Sequence, residues 1–168
     1  MHMQVPSGLD AAGQMERIVA REVPGGRGLQ AWDALLRAHA TLLRQLETDL
    51  EDKTGLGLAD FDVLAQLAIA GGSLRMTELA DRALISRSGM TRRVTRLVHE
   101  GLVRRAHADA DARGVVVQLT KSGLDRLTSA APVHVRGVSE LFLEKLDDRE
   151  LAVLESALAK VTLDCTFG

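Results

Sequence analysis

Between residues 76 and 119 the spacing of the apolar residues changes once, and that change limits the folds open to the chain. Met76, Leu79, Ala80 and Ala83 recur at helical steps, and a tight Leu84-Ile85 connection follows. Ser86 then stands as the N-cap of a second helix over 87–100, with Gly101 as its C′ residue. Beyond Gly101 the pattern turns to strands. Leu102-Val103-Arg104-Arg105 forms one short run, and Gly114-Val115-Val116-Val117-Gln118-Leu119 forms another with a β-branched centre. His107 to Arg113 makes the turn between them. Helix, tight turn, helix and two-strand hairpin is the order of a winged helix-turn-helix.

The flanking segments read as helices. Asp10 caps a short helix to Val23, and Pro24-Gly25-Gly26-Arg27-Gly28 ends it as a hinge. Trp32, Leu35, Leu36, His39, Leu42, Leu43, Leu46 and Leu50 form one apolar stripe on a helix over 29–52. A helix over 59–70 follows. Thr120 caps a helix that runs to Leu146 and is kinked by Pro132. Asp147-Asp148-Arg149-Glu150 is a capping box that opens a last helix over 148–163. The fold class is therefore mainly α with a small β-hairpin wing and long terminal helices. It divides into an N-terminal arm (1–28), a dimerisation helix (29–56), a winged helix-turn-helix domain (57–120) and C-terminal dimerisation helices (121–168). The terminal helices carry more apolar face than the winged domain can cover. A two-fold pairing of two copies would bury it, and a larger monomeric core is the alternative.

The 168 residues carry a formal net charge of -2, which by itself argues against nucleic acid. Its distribution reverses that inference. Residues 75–113 hold nine Arg and five acids, a window of +4 inside a -6 remainder. A basic centre flanked by acidic ends is a footprint for a polyanion. On the 87–100 helix, Met90, Val94, Leu97 and Val98 share one face. Ser88, Arg92, Thr95, Arg96 and His99 share the other, with Thr91 and Arg93 on its flanks and Ser86 and Arg87 at the N-terminus. Arg bonds guanine bidentately, Ser and Thr meet varied base edges, and a Thr methyl touches thymine. The free N–H groups of the helix start favour a phosphate. The face shows no acid partner at i,i+4, which sets it apart from a solvated amphipathic helix. Asp111 and Arg113 would pair across the wing turn and place Arg113 near a narrow minor groove; a plain surface ion pair is the alternative.

Other classes find little support. Four aromatic residues, Trp32, Phe61, Phe142 and Phe167, cannot build a base-stacking platform for single strands. One cysteine, Cys165, leaves no disulfide, CxxC motif or multi-Cys metal site, and no basic residue near it would activate the thiol. It fits a reducing cytoplasm, as does the lack of a long apolar run. The five histidines lack metal-ligand spacing, and no phosphate loop, HExxH, nucleophile elbow or dinucleotide fingerprint occurs. The expectation is no cofactor, no metal, no membrane and no enzyme. A small-molecule-binding or protein-interaction dimer without DNA remains the competing function.

Several motifs, taken jointly, resemble the MarR-type bacterial transcriptional regulators. They are Met76-Thr77-Glu78-Leu79-Ala80, Ser86-Arg87-Ser88-Gly89-Met90-Thr91-Arg92, Glu100-Gly101-Leu102-Val103-Arg104-Arg105, Asp111-Ala112-Arg113, Val117-Gln118-Leu119-Thr120 and Gly123. The resemblance spans residues 29–163. It implies a homodimer that binds a pseudo-palindromic duplex operator, usually as a repressor released by a small phenolic or anionic ligand. Some members sense oxidants through a cysteine in the N-terminal region, where this chain has none. Candidate DNA-binding residues are Ser86, Arg87, Ser88, Thr91, Arg92, Thr95, Arg96, Asp111 and Arg113. Candidate ligand residues are His39, as a polar contact or a satisfied core histidine, with Trp32 and Phe61 as pocket walls. Asp62 is a further candidate, or else a solvent-facing acid that complements its helix dipole.

Overall fold

Local capping signals punctuate the chain, and the helices begin where those signals stand. In the computed structural model, which describes residues 10–83, 85–107 and 114–163, Asp10 accepts the Gly13 N–H at 3.0 Å and α1 runs Ala11–Glu22. A 3₁₀ turn at Pro24–Gly26 follows, then α2 over Leu29–Thr54. Next come α3 (Leu58–Ile69), β1 (Ser73–Arg75), α4 (Met76–Arg82) and α5 (Arg87–His99). The strands β2 (Val103–His107) and β3 (Val115–Leu119) precede α6 (Lys121–Leu141) and α7 (Asp148–Leu163). The capping box before α7 is complete: Asp147 N–H donates to Glu150 at 2.9 Å, and Glu150 N–H donates to Asp147 at 2.8 Å.

The chain forms two compact units, residues 1–41 and 42–168. In the first, no described residue is buried, and Met15, Ile18, Trp32, Leu35 and Leu36 are exposed. The second holds the core. Leu50 of α2, Leu64 and Leu67 of α3, Leu79 of α4, Leu97 of α5 and Val117 of β3 are fully buried there. With aromatics scarce, aliphatic side chains fill this core, and Phe61 is the one buried ring among the described residues.

The sheet has three antiparallel strands in the order β1-β3-β2. The hairpin expected from sequence is β2–β3, with Val103 opposite Leu119 and Arg105 opposite Val117. The additional strand, β1, pairs Leu74 with Val117. Three residues are too few to show a period of two, so β1 is defined by its tertiary pairing. A second difference lies at the end of α6. The helix stops at Leu141 instead of Leu146, and a 3₁₀ turn over Leu143–Lys145 replaces its last turn. Ser139 Oγ donates to Glu144 there at 2.8 Å. The apolar spacing of Val138, Leu141, Phe142 and Leu146 continues across this break and conceals it. Pro132 lies inside α6, whose assignment continues through it.

Two glycines fix how the wing joins the helices. Gly101 ends α5 with φ 73°, a left-handed conformation that costs glycine nothing. At Gly123 an added Cβ would lie 2.0 Å from the Leu102 carbonyl oxygen. The start of α6 therefore presses directly on the α5–β2 turn. Thr120 joins the same contact: its Oγ1 accepts the Gly123 N–H at 3.0 Å and lies 2.7 Å from the Gly101 carbonyl oxygen, to which it can donate. Among the described residues no helix is long and apolar enough to cross a membrane.

Candidate nucleic-acid interface

The α5 helix is held by its apolar side and offers its polar side to solvent. Met90, Val94 and Leu97 are fully buried, which at about 1.5–3 kcal/mol per side chain anchors the helix to the core. Ser86 caps it by accepting the Gly89 N–H at 3.2 Å. Arg87, Ser88, Thr91, Arg92, Thr95, Arg96 and His99 are exposed. Two of the hydroxyls bond backward along the helix: Thr91 donates to the Arg87 carbonyl at 3.0 Å, and Thr95 to the Thr91 carbonyl at 2.8 Å. With their hydrogens so placed, their oxygens are left as acceptors, and that of Thr95 already accepts from Arg105 Nη2 at 2.6 Å. Among the described residues Arg87 and Arg92 have no acidic partner.

Arg96 corrects the expectation that this face carries no acid partners. Asp60 of α3, only 5% exposed, accepts from Arg93 Nη1 at 2.7 Å through Oδ1 and from Arg96 Nη2 through Oδ2. Arg96 Nε also lies 4.0 Å from Glu100, its i+4 neighbour. Arg96 is thus paired with Asp60 while its side chain stays 53% exposed, and Arg93, read as a flank residue, is its companion. The partner lies on another helix more than thirty residues away, so inspecting α5 alone does not reveal it. A signal was present on α3: Asp60 shares one face with Val63, Leu64 and Leu67, at steps of three, four and seven. The pair is not complete, since Arg93 Nε is buried without a partner among the described residues.

The expected ligand residues fall in both units. Trp32 and His39 belong to the first, where both are exposed. Phe61 and Asp62 belong to the second. Phe61 is buried, and Asp62 is half-buried and accepts from Gln66 Nε2 at 3.4 Å. His134 of α6 joins them, a residue that sequence reasoning passed over. Its ring centroid lies 4.5 Å from that of Phe61, at an interplanar angle of 38°. Its Nδ1 is buried and has no partner among the described residues. Burial pushes the His134 pKa down, and the Asp62 charge opposes part of that shift. The sequence signal was its place between Val133 and Val135 on an otherwise apolar stretch. Asp111, Arg113 and Cys165 lie outside the described residues. No cluster with metal-ligand character occurs among the described residues.

Comparison with known proteins points one way. The sequence model of the MarR family matches residues 54–114. An uncharacterised HTH-type transcriptional regulator from Bacillus cereus is 29% identical over 134 residues, covering 80% of this chain and 88% of that one. AbsC, a MarR family transcriptional regulator from Streptomyces coelicolor, superposes with a TM-score of 0.76 at 33% identity, covering 80% of this chain and 90% of its own. Sco3205, a MarR family regulator from the same organism solved in complex with DNA, gives a TM-score of 0.76 at 31% identity and covers 80% and 84%. These relatives are transcriptional regulators, not enzymes.

Two outcomes follow from the charges around α3. Asp60→Asn keeps the shape of the side chain but leaves two guanidinium groups uncompensated, one of them largely covered. It is expected to lower stability by about 1–3 kcal/mol, between the values for exposed and buried pairs. Urea unfolding would show a lower midpoint at unchanged slope, and an unchanged midpoint would contradict the clamp. His134 gives a pH dependence. Its native pKa is depressed, so below about pH 6.5 the unfolded chain binds more protons than the native state, and stability falls with acidification. The drop in Tm from pH 7.5 to pH 5.5 is expected to be smaller in His134→Gln than in the wild type; equal drops would refute this.

Proposed function

The chain belongs to the MarR family of transcriptional regulators, and from that premise we propose that it is a homodimeric repressor that reads a pseudo-palindromic duplex operator through α5. The observation that carries this reading is the outward face of α5, where Arg87 and Arg92 have no acidic partner among the described residues beside Ser86, Ser88, Thr91 and Thr95. Bidentate guanidinium contacts to guanine and methyl contacts to thymine are the chemistry such a face supplies in a major groove. Arg96 orients the helix from Asp60 and does not read bases in this scheme. Asp111 and Arg113 are assigned to the wing's approach to the minor groove.

The uncovered apolar residues of the terminal helices support dimerisation. Met15, Ile18, Trp32, Leu35, Leu36 and Leu43 are exposed, and α7 buries none of its described side chains. Pairing 29–56 and 121–168 with the same segments of a second copy would cover those of α2 and α7, with 57–120 as the DNA-binding part and 1–28 as an arm that carries Met15 and Ile18. Two-fold symmetry then sets the recognition helices one DNA turn apart, roughly 34–36 Å. A small phenolic or anionic effector would release the operator in the cytoplasm, with Trp32 and His39 of the first unit and Phe61 and Asp62 of the second as separate candidate contacts.

Arg92→Ala tests the DNA reading. On a duplex selected from the source genome it is expected to cost about 1–3 kcal/mol and to relax the preference at one base pair. Wild-type affinity is expected to fall steeply with salt through counterion release. A protein that binds no genomic duplex, or binds independently of salt, would instead be a dimer for a ligand or a protein partner. For the effector, titration of the wild-type complex with small aromatic acids should release DNA. The His39→Ala complex should keep its DNA affinity and resist release; unchanged release would remove His39 from the pocket.

A further inference from the structure

We propose that the cleft between α5, the start of α4 and the base of the β2–β3 ribbon holds one phosphodiester group of the DNA backbone between Arg75 and Arg105. This rests on the reading of α5 as the major-groove helix. The cleft has a volume of ≈ 550 Å³, and Arg75, Thr77, Thr91, Arg105 and Val115 line it. Its position decides its occupant. With α5 in the major groove and the ribbon over the neighbouring minor groove, the sugar-phosphate ridge dividing the two grooves has to cross the gap between helix and ribbon. The cleft is that gap.

The charges around it suit a diester. Neither the Arg75 nor the Arg105 guanidinium has a carboxylate partner among the described residues, although the Arg75 backbone N–H donates to Glu78 at 3.2 Å, whereas Arg93 and Arg96 on the other flank of α5 share the carboxylate of Asp60. Arg105 is also held in place. Its Nη2 donates to Thr95 Oγ1 at 2.6 Å and lies 3.5 Å from the Thr91 carbonyl oxygen. One corner of the planar guanidinium is thereby fixed to the recognition helix, and its remaining N–H donors are left for an anion. A pre-positioned fork loses less side-chain entropy on binding than a free one. Arg104, the next residue, lies on the opposite face of the ribbon and donates to Gln118 at 2.8 Å. Strand alternation therefore assigns only one of this arginine pair to the cleft. Thr77 adds a hydroxyl to the rim.

The test compares Arg75→Ala, Arg105→Ala and Arg105→Lys in the full chain, on the selected duplex and on random duplex. Arg75→Ala and Arg105→Ala are expected to weaken binding by the same factor on both duplexes. Each should reduce the slope of log affinity against log salt by about 0.9, so that the loss between 50 and 200 mM salt is about 3.5-fold smaller than for the wild type. Arg105→Lys keeps the charge and should keep the slope. A scan of single neutral methylphosphonates along the duplex should find one position that weakens the wild type but not Arg75→Ala. Unchanged slopes in both alanine variants, or no such position, would overturn the cleft assignment alone, provided Arg92→Ala still alters base preference. If the wild type binds no duplex, the DNA reading falls and the cleft assignment with it. Inorganic phosphate that binds the wild type but not Arg75→Ala, with salt slopes on DNA unchanged, would make the cleft a site for a free anion and reject the proposal.

Discussion

The orientation of α5 depends on one buried carboxylate. Asp60 is almost wholly withdrawn from water, and an isolated ion in that place would cost several kcal/mol. Its two oxygens accept from two arginines one helical turn apart on α5. Apolar contact alone would hold α5 firmly, since Met90, Val94 and Leu97 are fully buried. The hydrophobic effect behind such contact is non-directional, so it specifies the angle about the helix axis less sharply than a hydrogen bond does. A carboxylate that must meet Arg93 and Arg96 together is not, because hydrogen bonds weaken steeply with angle. The core holds the helix, and the ion pair selects the angle at which Arg92 and Thr91 face outward.

The same constraint sorts the arginines of the basic centre. By composition they are one cluster, nine in a window of thirty-nine residues. In the structure they divide by partner. Arg93 and Arg96 share Asp60, Arg104 is bonded to Gln118, Arg105 is tethered to Thr95, and Arg87 and Arg92 have no acidic partner among the described residues. A polyanion meets only part of the formal charge. The overall value of -2 conceals the basic patch, and the count of nine overstates what that patch offers outward.

What could be read in the sequence follows from how local each determinant is. Caps act within a few residues, so Asp10, Ser86, Thr120 and Asp147 located the starts of their helices correctly. Helical periodicity placed Met90, Val94 and Leu97 inward for the same reason. The features that escaped are non-local. The strand β1 exists because β3 lies beside it, and Asp60 is satisfied from 33 and 36 residues away. His134 meets Phe61 only because α6 folds back on α3. In the last two cases a residue was out of character with its own segment: an acid on an apolar stripe, a histidine between valines. Such mismatches mark where tertiary partners must lie, although they do not name them.

Three consecutive residues at the start of α3 bring these partners together. Asp60 faces α5, Phe61 stacks near His134 of α6, and Asp62 lies close enough to His134 to act on its charge. Successive helical residues advance by 1.5 Å and about 100°, so one stiff turn serves three neighbours on different sides. Its groups cannot move independently. A displacement that reseats Phe61 against His134 also moves the carboxylate that sets the angle of α5. Interfaces of packed side chains and fixed ion pairs respond to such shifts by changing between discrete arrangements rather than by yielding smoothly. A change beside Phe61 and Asp62 would therefore be felt at α5 through Asp60. The Nδ1 of His134 and the Nε of Arg93, each on a partner of this turn, are buried polar atoms that lack hydrogen-bond partners among the described residues.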